Sequence, residues 1–140
     1  MGCGFVSPVG LTKDVGWNVG FSRTLPHDPE RVWATLVSPD GLAAWLGEGA
    51  RLGEARGTTW SAADGTTGEL RSLRPGDRIR LTWRPPGRAT DTTVQVAIRA
   101  GARGTSVRFH HERLADTGER EAMRTHWKAA LDRLAQVLAQ

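Results

Sequence analysis

The residue best placed for chemistry is a histidine in the last of several alternating apolar segments. His111 follows Phe109 by two positions, so both side chains point to the same face of a strand. A buried imidazole needs hydrogen-bond partners, and it could orient a ligand carbonyl or transfer a proton. The alternative is a structural histidine bonded to backbone or water. A bulge near Leu114 would place His110 on that face instead. No catalytic residue is assigned, and His111 is the candidate.

Large apolar side chains could surround a hydrophobic ligand beside this histidine. Their spacing in predicted strands and a final helix directs them into the space between the two. The open alternatives are a ligand pocket with aromatic walls and a filled hydrophobic core. Arg120 begins the same helical stripe, where it could bind an anionic head group or extend to solvent. The candidate ligand-binding residues are Trp60, Trp83, Phe109, His111, Arg120, Met123, Trp127 and Leu131.

Other kinds of chemistry have little support in the sequence. Neighbouring His110 and His111 point to opposite faces of a strand, and His126 has no second ligand three or four residues away. Cys3 is remote, and no serine lies in a Gly-x-Ser-x-Gly frame. Phosphate-loop and dinucleotide motifs are absent. We therefore expect neither a metal nor a cofactor.

Composition indicates a globular chain without nucleic-acid binding. The chain has 140 residues, 39% hydrophobic and 24% charged, with a net charge of +4. Its basic residues are almost all arginines, spread along the chain without forming a run, so we expect no nucleic-acid partner. A single cysteine excludes an internal disulfide and fits a reducing compartment. No signal peptide or membrane span is recognised, and a cytoplasmic protein is expected.

The elements that must position these side chains follow from periodicity. Residues 1–13 are predicted to form a loose arm, and 14–140 a single domain. A strand is predicted from Val15 to Leu25, where apolar residues alternate with small or polar ones. Asp28 and Pro29 are typical of a helix start, and Ser38-Pro39 of its end. A second short helix is predicted over Gly41 to Leu46.

From Arg56 onward the apolar period returns to two. Asp64-Gly65 and Pro75-Gly76 predict turns between successive strands. A final amphipathic helix is predicted over residues 118–140, with one apolar stripe. Serial hairpins form an antiparallel sheet with one dry face, which this helix can cover. The predicted class is α+β: a curved antiparallel sheet of about six to seven strands wrapped around a long C-terminal helix, with two short helices after the first strand.

An ordered set of short segments resembles a known superfamily over about residues 17–138. The chain is similar to the START/Bet v 1-like (SRPBCC) superfamily, and to its bacterial branch related to the C-terminal domain of the activator of Hsp90 ATPase. The resemblance implies a helix-grip fold with a cavity between sheet and helix. The segments that carry it are Pro29 to Trp33, Ala44 to Gly47, Gly57 to Trp60, Arg78 to Trp83, Gly104 to Val107 with Phe109, and His126-Trp127 with Leu131 and Leu134.

The resemblance implies binding of a hydrophobic or aromatic small molecule, since relatives bind lipids, sterols, polyketides or hormones. Some relatives cyclise or hydrolyse such compounds, so a cyclase- or hydrolase-like enzyme using His111 is an alternative. A protein-interaction module for a chaperone or regulator is another, with Trp45 and the second short helix as an exposed anchor. The chain could be a monomer or a homodimer paired through sheet edges.

Overall fold

The computed structural model describes residues 11–12 and 16–140. The strands in these residues are β1 (Leu11–Thr12), β2 (Gly16–Leu25), β3 (Thr59–Ser61), β4 (Thr67–Arg74), β5 (Arg78–Trp83), β6 (Thr92–Gly101) and β7 (Gly104–Leu114). They form one curved, open antiparallel sheet in the order β1-β2-β7-β6-β5-β4-β3. This α+β architecture confirms the predicted fold class.

Of the three helices in residues 16–140, two pack on the sheet and the third packs on these two, and each begins at a capping side chain. Asp28 accepts a hydrogen bond from the Arg31 amide at 2.9 Å, and Pro29 takes the first position. The Ser38 hydroxyl accepts from the Gly41 amide at 3.0 Å. The second helix therefore starts at Pro39, two residues before the predicted start. The helices are α1 (Pro29–Val37), α2 (Pro39–Trp45) and α3 (Thr117–Leu138).

The predicted N-terminal arm lies mostly outside the described residues. Leu11 and Thr12 are described, and they pair with Trp17 and Gly16 at one edge of the sheet. Cys3 also lies outside the described part of the chain.

The core fills the space between the sheet and α3, as the alternation predicts. Successive apolar residues of β5, β6 and β7 are almost fully buried. The predicted stripe on α3 is buried from Trp127 to Leu138, and Met123 is half-buried. At the solvent edge of this interface, Arg23 on β2 forms an ion pair with Asp132 on α3 at 2.6 Å.

A bulge in β7 decides which histidine points inward. His111 pairs with Val19 and Leu114 with Trp17, so β7 has one residue more than β2 between these pairs. The extra residue follows His111, and Arg113 there has a positive φ of 68°. Alternation is therefore intact through His111, which is 1% exposed, and His110 points outward.

Trp45 is not the exposed anchor that the partner hypothesis requires. Its side chain is 1% exposed, and its Nε1 donates a hydrogen bond to the Leu36 carbonyl at 2.9 Å. The indole packs against Phe109 with 5.7 Å between ring centroids. Trp45 joins α2 to the core because it lies on the apolar side of the helix.

No helix in residues 16–140 is both long and apolar enough to cross a membrane.

Candidate functional site

Six aromatic rings pack together between the sheet and α3, and Trp45 contacts them from α2 through Phe109. Phe109 stacks on Trp127, with 4.5 Å between the ring centroids and an angle of 16° between the ring planes. The ring of Trp83 contacts Trp127 edge-on, with 5.2 Å between centroids. It is tilted against the ring of Trp60, with 5.7 Å between centroids. Such aromatic pairs stabilise a core beyond the area they bury. The cluster, called the aromatic cluster below, comprises Trp60, Trp83, Phe109, His111, His126 and Trp127.

His111 lies at the centre of a complete hydrogen-bond chain. Trp127 Nε1 donates to His111 Nδ1 at 3.1 Å. An indole N–H is a donor only, so Nδ1 is the acceptor and the imidazole proton is on Nε2. Nε2 lies 2.7 Å from Thr92 Oγ1 and donates to it. Thr92 in turn donates to the Trp83 carbonyl at 2.7 Å.

This chain explains the charge state of His111. Burial lowers the pKa of His111 to about 3, and the neighbouring His126 acts in the same direction. The imidazole is therefore neutral at neutral pH, and both of its nitrogens are already paired. In this arrangement His111 positions Trp127 and Thr92 and has no free nitrogen for a ligand.

Two polar atoms of the aromatic cluster lack such partners. Among the described residues, Trp83 Nε1 and His126 Nε2 are buried without a hydrogen bond. Their rings are neighbours, with 5.3 Å between centroids and an angle of 74° between planes. Leaving a buried donor or acceptor unpaired costs about 1–3 kcal/mol. This pair of atoms is the clearest sign of a missing partner inside the core.

His126 is held so that its free nitrogen is an acceptor. Burial lowers the pKa of His126, Arg133 adds to that effect, and a backbone hydrogen bond with Trp45 opposes it. Because Nε2 is unpaired, this interaction favours the tautomer with the proton on Nδ1. The neutral ring then presents the lone pair of Nε2. Trp83 Nε1 beside it is a donor.

Gly68 makes room for the tryptophans at one end of the cluster. It lies on β4 opposite Trp60, whose Nε1 donates to the Thr82 carbonyl at 3.2 Å across the strand. A Cβ on Gly68 would lie 2.4 Å from Trp60 Nε1 and closer still to the Thr82 carbonyl oxygen. Only glycine leaves that space open.

The other predicted ligand-binding residues surround the cluster rather than open into a cavity. Arg120 donates from Nε to the Asn18 carbonyl at 2.8 Å and pairs with Glu121 at 3.0 Å. Leu131 is fully buried, and Met123 is half-buried at the start of the helix stripe. The structure therefore brings seven of the eight predicted residues into or against one core, while Arg120 is bound to β2.

Phe109, His111 and Trp127 pack against one another where the cavity is expected. Of five pockets in residues 16–140, none is bordered by these three side chains, whereas Trp60 and Gly68 at the end of the cluster line one of them. In the same residues, no group of three or more His, Cys, Asp or Glu side chains could hold a metal ion.

Sequence reasoning missed Thr92, His126 and Gly68 as parts of this site. Thr92 is the first residue of β6, in phase with the apolar residues Val94 and Val96, which is the signal that could have placed it inward. His126 is placed in the site by its contacts with Trp83 and Trp45, which lie in other elements and leave no trace in the helix pattern. The role of Gly68 depends on a contact across two strands, which no local pattern contains.

Comparison with known proteins gives the family. Residues 26–139 match the model described as Activator of Hsp90 ATPase homolog 1-like protein. The chain belongs to this family. Membership confirms the resemblance to the START/Bet v 1-like superfamily, and the fold common to its members fits ligand binding. No curated protein matches significantly.

Solved structures share the fold of this family member. Protein CV1439 from Chromobacterium violaceum has a TM-score of 0.70 and 25% identity, covering 88% of this chain and 97% of that one. CalU16 from Micromonospora echinospora has a TM-score of 0.76 and 19% identity, covering 91% and 80%. The Aha1 dimer from Colwellia psychrerythraea has a TM-score of 0.72 and 20% identity, covering 86% and 95%. The latter two similarities concern the fold alone.

Proposed function

We propose that the protein binds a hydroxyl-bearing hydrophobic or aromatic small molecule in the aromatic cluster, between the sheet and α3. The observation that carries the proposal is the pair of unpaired buried atoms, Trp83 Nε1 and His126 Nε2. Family membership supports it, because the shared fold fits ligand binding.

The chemistry of the two atoms selects the ligand group. A hydroxyl oxygen can accept from Trp83 Nε1 while its proton is donated to His126 Nε2. A carbonyl could satisfy only Trp83, and a protonated amine only His126. The apolar part of the ligand would contact the surrounding rings, as in ligand sites that combine apolar walls with a few polar groups.

Binding requires the rings to separate, because they now occupy the space between sheet and helix. Trp83 is 4% exposed, whereas His126 is half-buried on α3. Asp64, in the turn between β3 and β4, is close enough to influence the charge of His126. The entry route that we propose is therefore between this hairpin and α3.

The test uses two probes of similar shape, 2-naphthol and 2-methylnaphthalene. We expect 2-naphthol to bind about tenfold more tightly, since two neutral hydrogen bonds together contribute on the order of 1.4 kcal/mol. Trp83→Phe keeps a ring but removes the N–H donor, so the two probes should then bind with nearly equal affinity. Calorimetric titration measures both dissociation constants.

Trp33→Phe is the matched control, because it makes the same chemical change on α1, outside the aromatic cluster. It should preserve the preference for 2-naphthol. Equal affinity of the wild-type protein for the two probes would refute the hydroxyl assignment. Binding of neither probe would count against the whole proposal and would favour an interior water as the missing partner.

An enzymatic role for His111 is less well supported. Its two nitrogens are bonded to Trp127 and Thr92, so proton transfer to a substrate would require one of these bonds to break. The partner-module hypothesis has lost its anchor, since Trp45 is buried.

A further inference from the structure

The outer face of the sheet carries a groove rich in arginine, on the side opposite the aromatic cluster. Its volume is about 580 Å³, within the range of small-molecule sites. β5 and β6 contribute its floor, and the loop before β3 contributes one wall. We call it the arginine groove. Its lining residues are Arg56, Arg71, Ser72, Arg80, Thr82, Asp91, Thr93 and Arg113.

Two separate bulges deliver arginines to this groove. In β4, Leu70 pairs with Leu81 and Ser72 with Arg80, so Arg71 is the extra residue. In β7, the bulge after His111 contains Arg113. Bulges commonly redirect a side chain near a functional site. Here both bulged strands place an arginine beside Arg80.

The backbone of Arg113 is strained for its residue type. Its φ of 68° lies in the left-handed region, which glycine adopts without penalty and other residues adopt at a cost. Among residues 16–140, Arg113 alone combines a positive φ with a side chain. Strain of this kind is concentrated at functional sites. An arginine at a backbone position that favours glycine indicates that its guanidinium group has a binding role.

The groove contains more arginine side chains than the neighbouring carboxylates pair with. Arg71 pairs with Glu69 at 3.1 Å, Arg80 contacts Glu112 at 3.5 Å, and Asp91 pairs with Arg84 at 3.7 Å. Within the described residues, the guanidinium groups of Arg56 and Arg113 have neither an ion pair nor a hydrogen bond. The guanidinium groups of Arg56 and Arg113 are therefore free to bind an anion.

Hydroxyl groups on the floor add neutral donors. Thr82 Oγ1 accepts a hydrogen bond from the Glu69 amide at 2.8 Å, which leaves its own proton available. Ser72 and Thr93 line the same space. Guanidinium forks combined with hydroxyls match the several oxygens of a phosphate group.

We propose that the arginine groove binds the phosphate group of a polar small molecule. This second site is independent of the hydrophobic ligand proposed above, because it lies on the other face of the sheet. Nucleic acid is the less favoured occupant, since the lining contains no aromatic side chain on which a base could stack. A soluble phosphate compound and a phosphorylated lipid head group share the same recognition chemistry.

The test measures binding of inorganic pyrophosphate by calorimetry at about 50 mM salt. Arg56→Gln and Arg113→Gly should each weaken binding about tenfold. Arg113→Gly also relieves the backbone strain, so its melting temperature should stay equal to that of the wild type or rise. Arg103→Gln, on the turn between β6 and β7 outside the groove, is the matched control and should retain wild-type affinity.

A second arm distinguishes the sources of the phosphate group. Vesicles of phosphatidylcholine with 20% phosphatidic acid, compared with phosphatidylcholine alone, report binding of a lipid head group. Selective binding of either pyrophosphate or the acidic vesicles, weakened about tenfold in Arg113→Gly, supports the site. Equal weakening by Arg103→Gln would show non-specific attraction and overturn it. The proposal would also be overturned if neither pyrophosphate nor the acidic vesicles were bound, or if only single-stranded oligonucleotides were bound.

Discussion

His111 has both ring nitrogens in hydrogen bonds, to Trp127 at 3.1 Å and Thr92 at 2.7 Å. Alternation in β7 was enough to predict that this side chain points inward beside Phe109. Its partners could not be predicted, because Trp127 and Thr92 are 16 and 19 residues away in sequence. Their proximity depends on how α3 lies across the sheet. The periodicity therefore gave the direction of the side chain but not its chemical state.

The pKa of His111 predicts how stability depends on pH. Burial lowers this pKa from 6.5 to about 3, so between these values the unfolded chain binds a proton that the folded chain does not. The contribution to stability is complete above about pH 6.5 and is lost as the pH falls toward 3. The slope is at most about 1.4 kcal/mol per pH unit.

The check compares urea denaturation of the wild type and His111→Gln at pH 7.5 and pH 4.5. We expect the free energy of unfolding of the wild type to fall by roughly 3 kcal/mol more than that of the variant over this range. Other titrating groups are common to both proteins and cancel in the difference. Parallel pH dependences would show that His111 is not held neutral by burial.

At the scale of elements, strands and helices were predictable where local chemistry decides them. Asp28, Pro29 and the apolar stripe of α3 have the expected roles. The predicted start of α2 is two residues late, because the pair Ser38-Pro39 is also typical of a helix end. Ser38 also caps the next helix. The two bulges depend on pairing between strands, so single-strand patterns do not reveal where they fall.

The contact between β4 and its neighbours predicts the effect of a single methyl group. Gly68→Ala would place a Cβ against Trp60 Nε1 and the Thr82 carbonyl, and break the hydrogen bond between them. We expect a loss of about 2–3 kcal/mol in the free energy of unfolding, typical of overpacking. Chemical denaturation measures it.

Gly118→Ala is the control for this substitution. Gly118 lies in the first turn of α3, and its nearest neighbour to an added Cβ is a side-chain oxygen of Asp116 at 3.4 Å. Alanine is favoured over glycine in a helix, so this variant should be neutral or slightly more stable. If Gly68→Ala were equally well tolerated, Trp60 would not be packed across β4 as described.

At the scale of the whole molecule, folding separates two kinds of surface that the sequence interleaves. Alternate residues of β5 point to the aromatic cluster or to the arginine groove, as Trp83 and Arg80 do. The even spread of arginines along the chain concealed their convergence, because the groove collects them from β4, β5, β7 and the loop before β3. Family membership explains the shared architecture, whereas both proposed sites depend on residues of this chain.

The most direct test of the central claim observes the Trp83 indole N–H itself. A ¹⁵N–¹H correlation spectrum resolves indole resonances, and the peak missing from Trp83→Phe identifies Trp83. On addition of 2-naphthol, this resonance should move downfield as Nε1 gains an acceptor, and 2-methylnaphthalene should not produce that shift. A Trp83 resonance unchanged at saturating 2-naphthol would contradict the claim that this atom awaits a ligand hydroxyl.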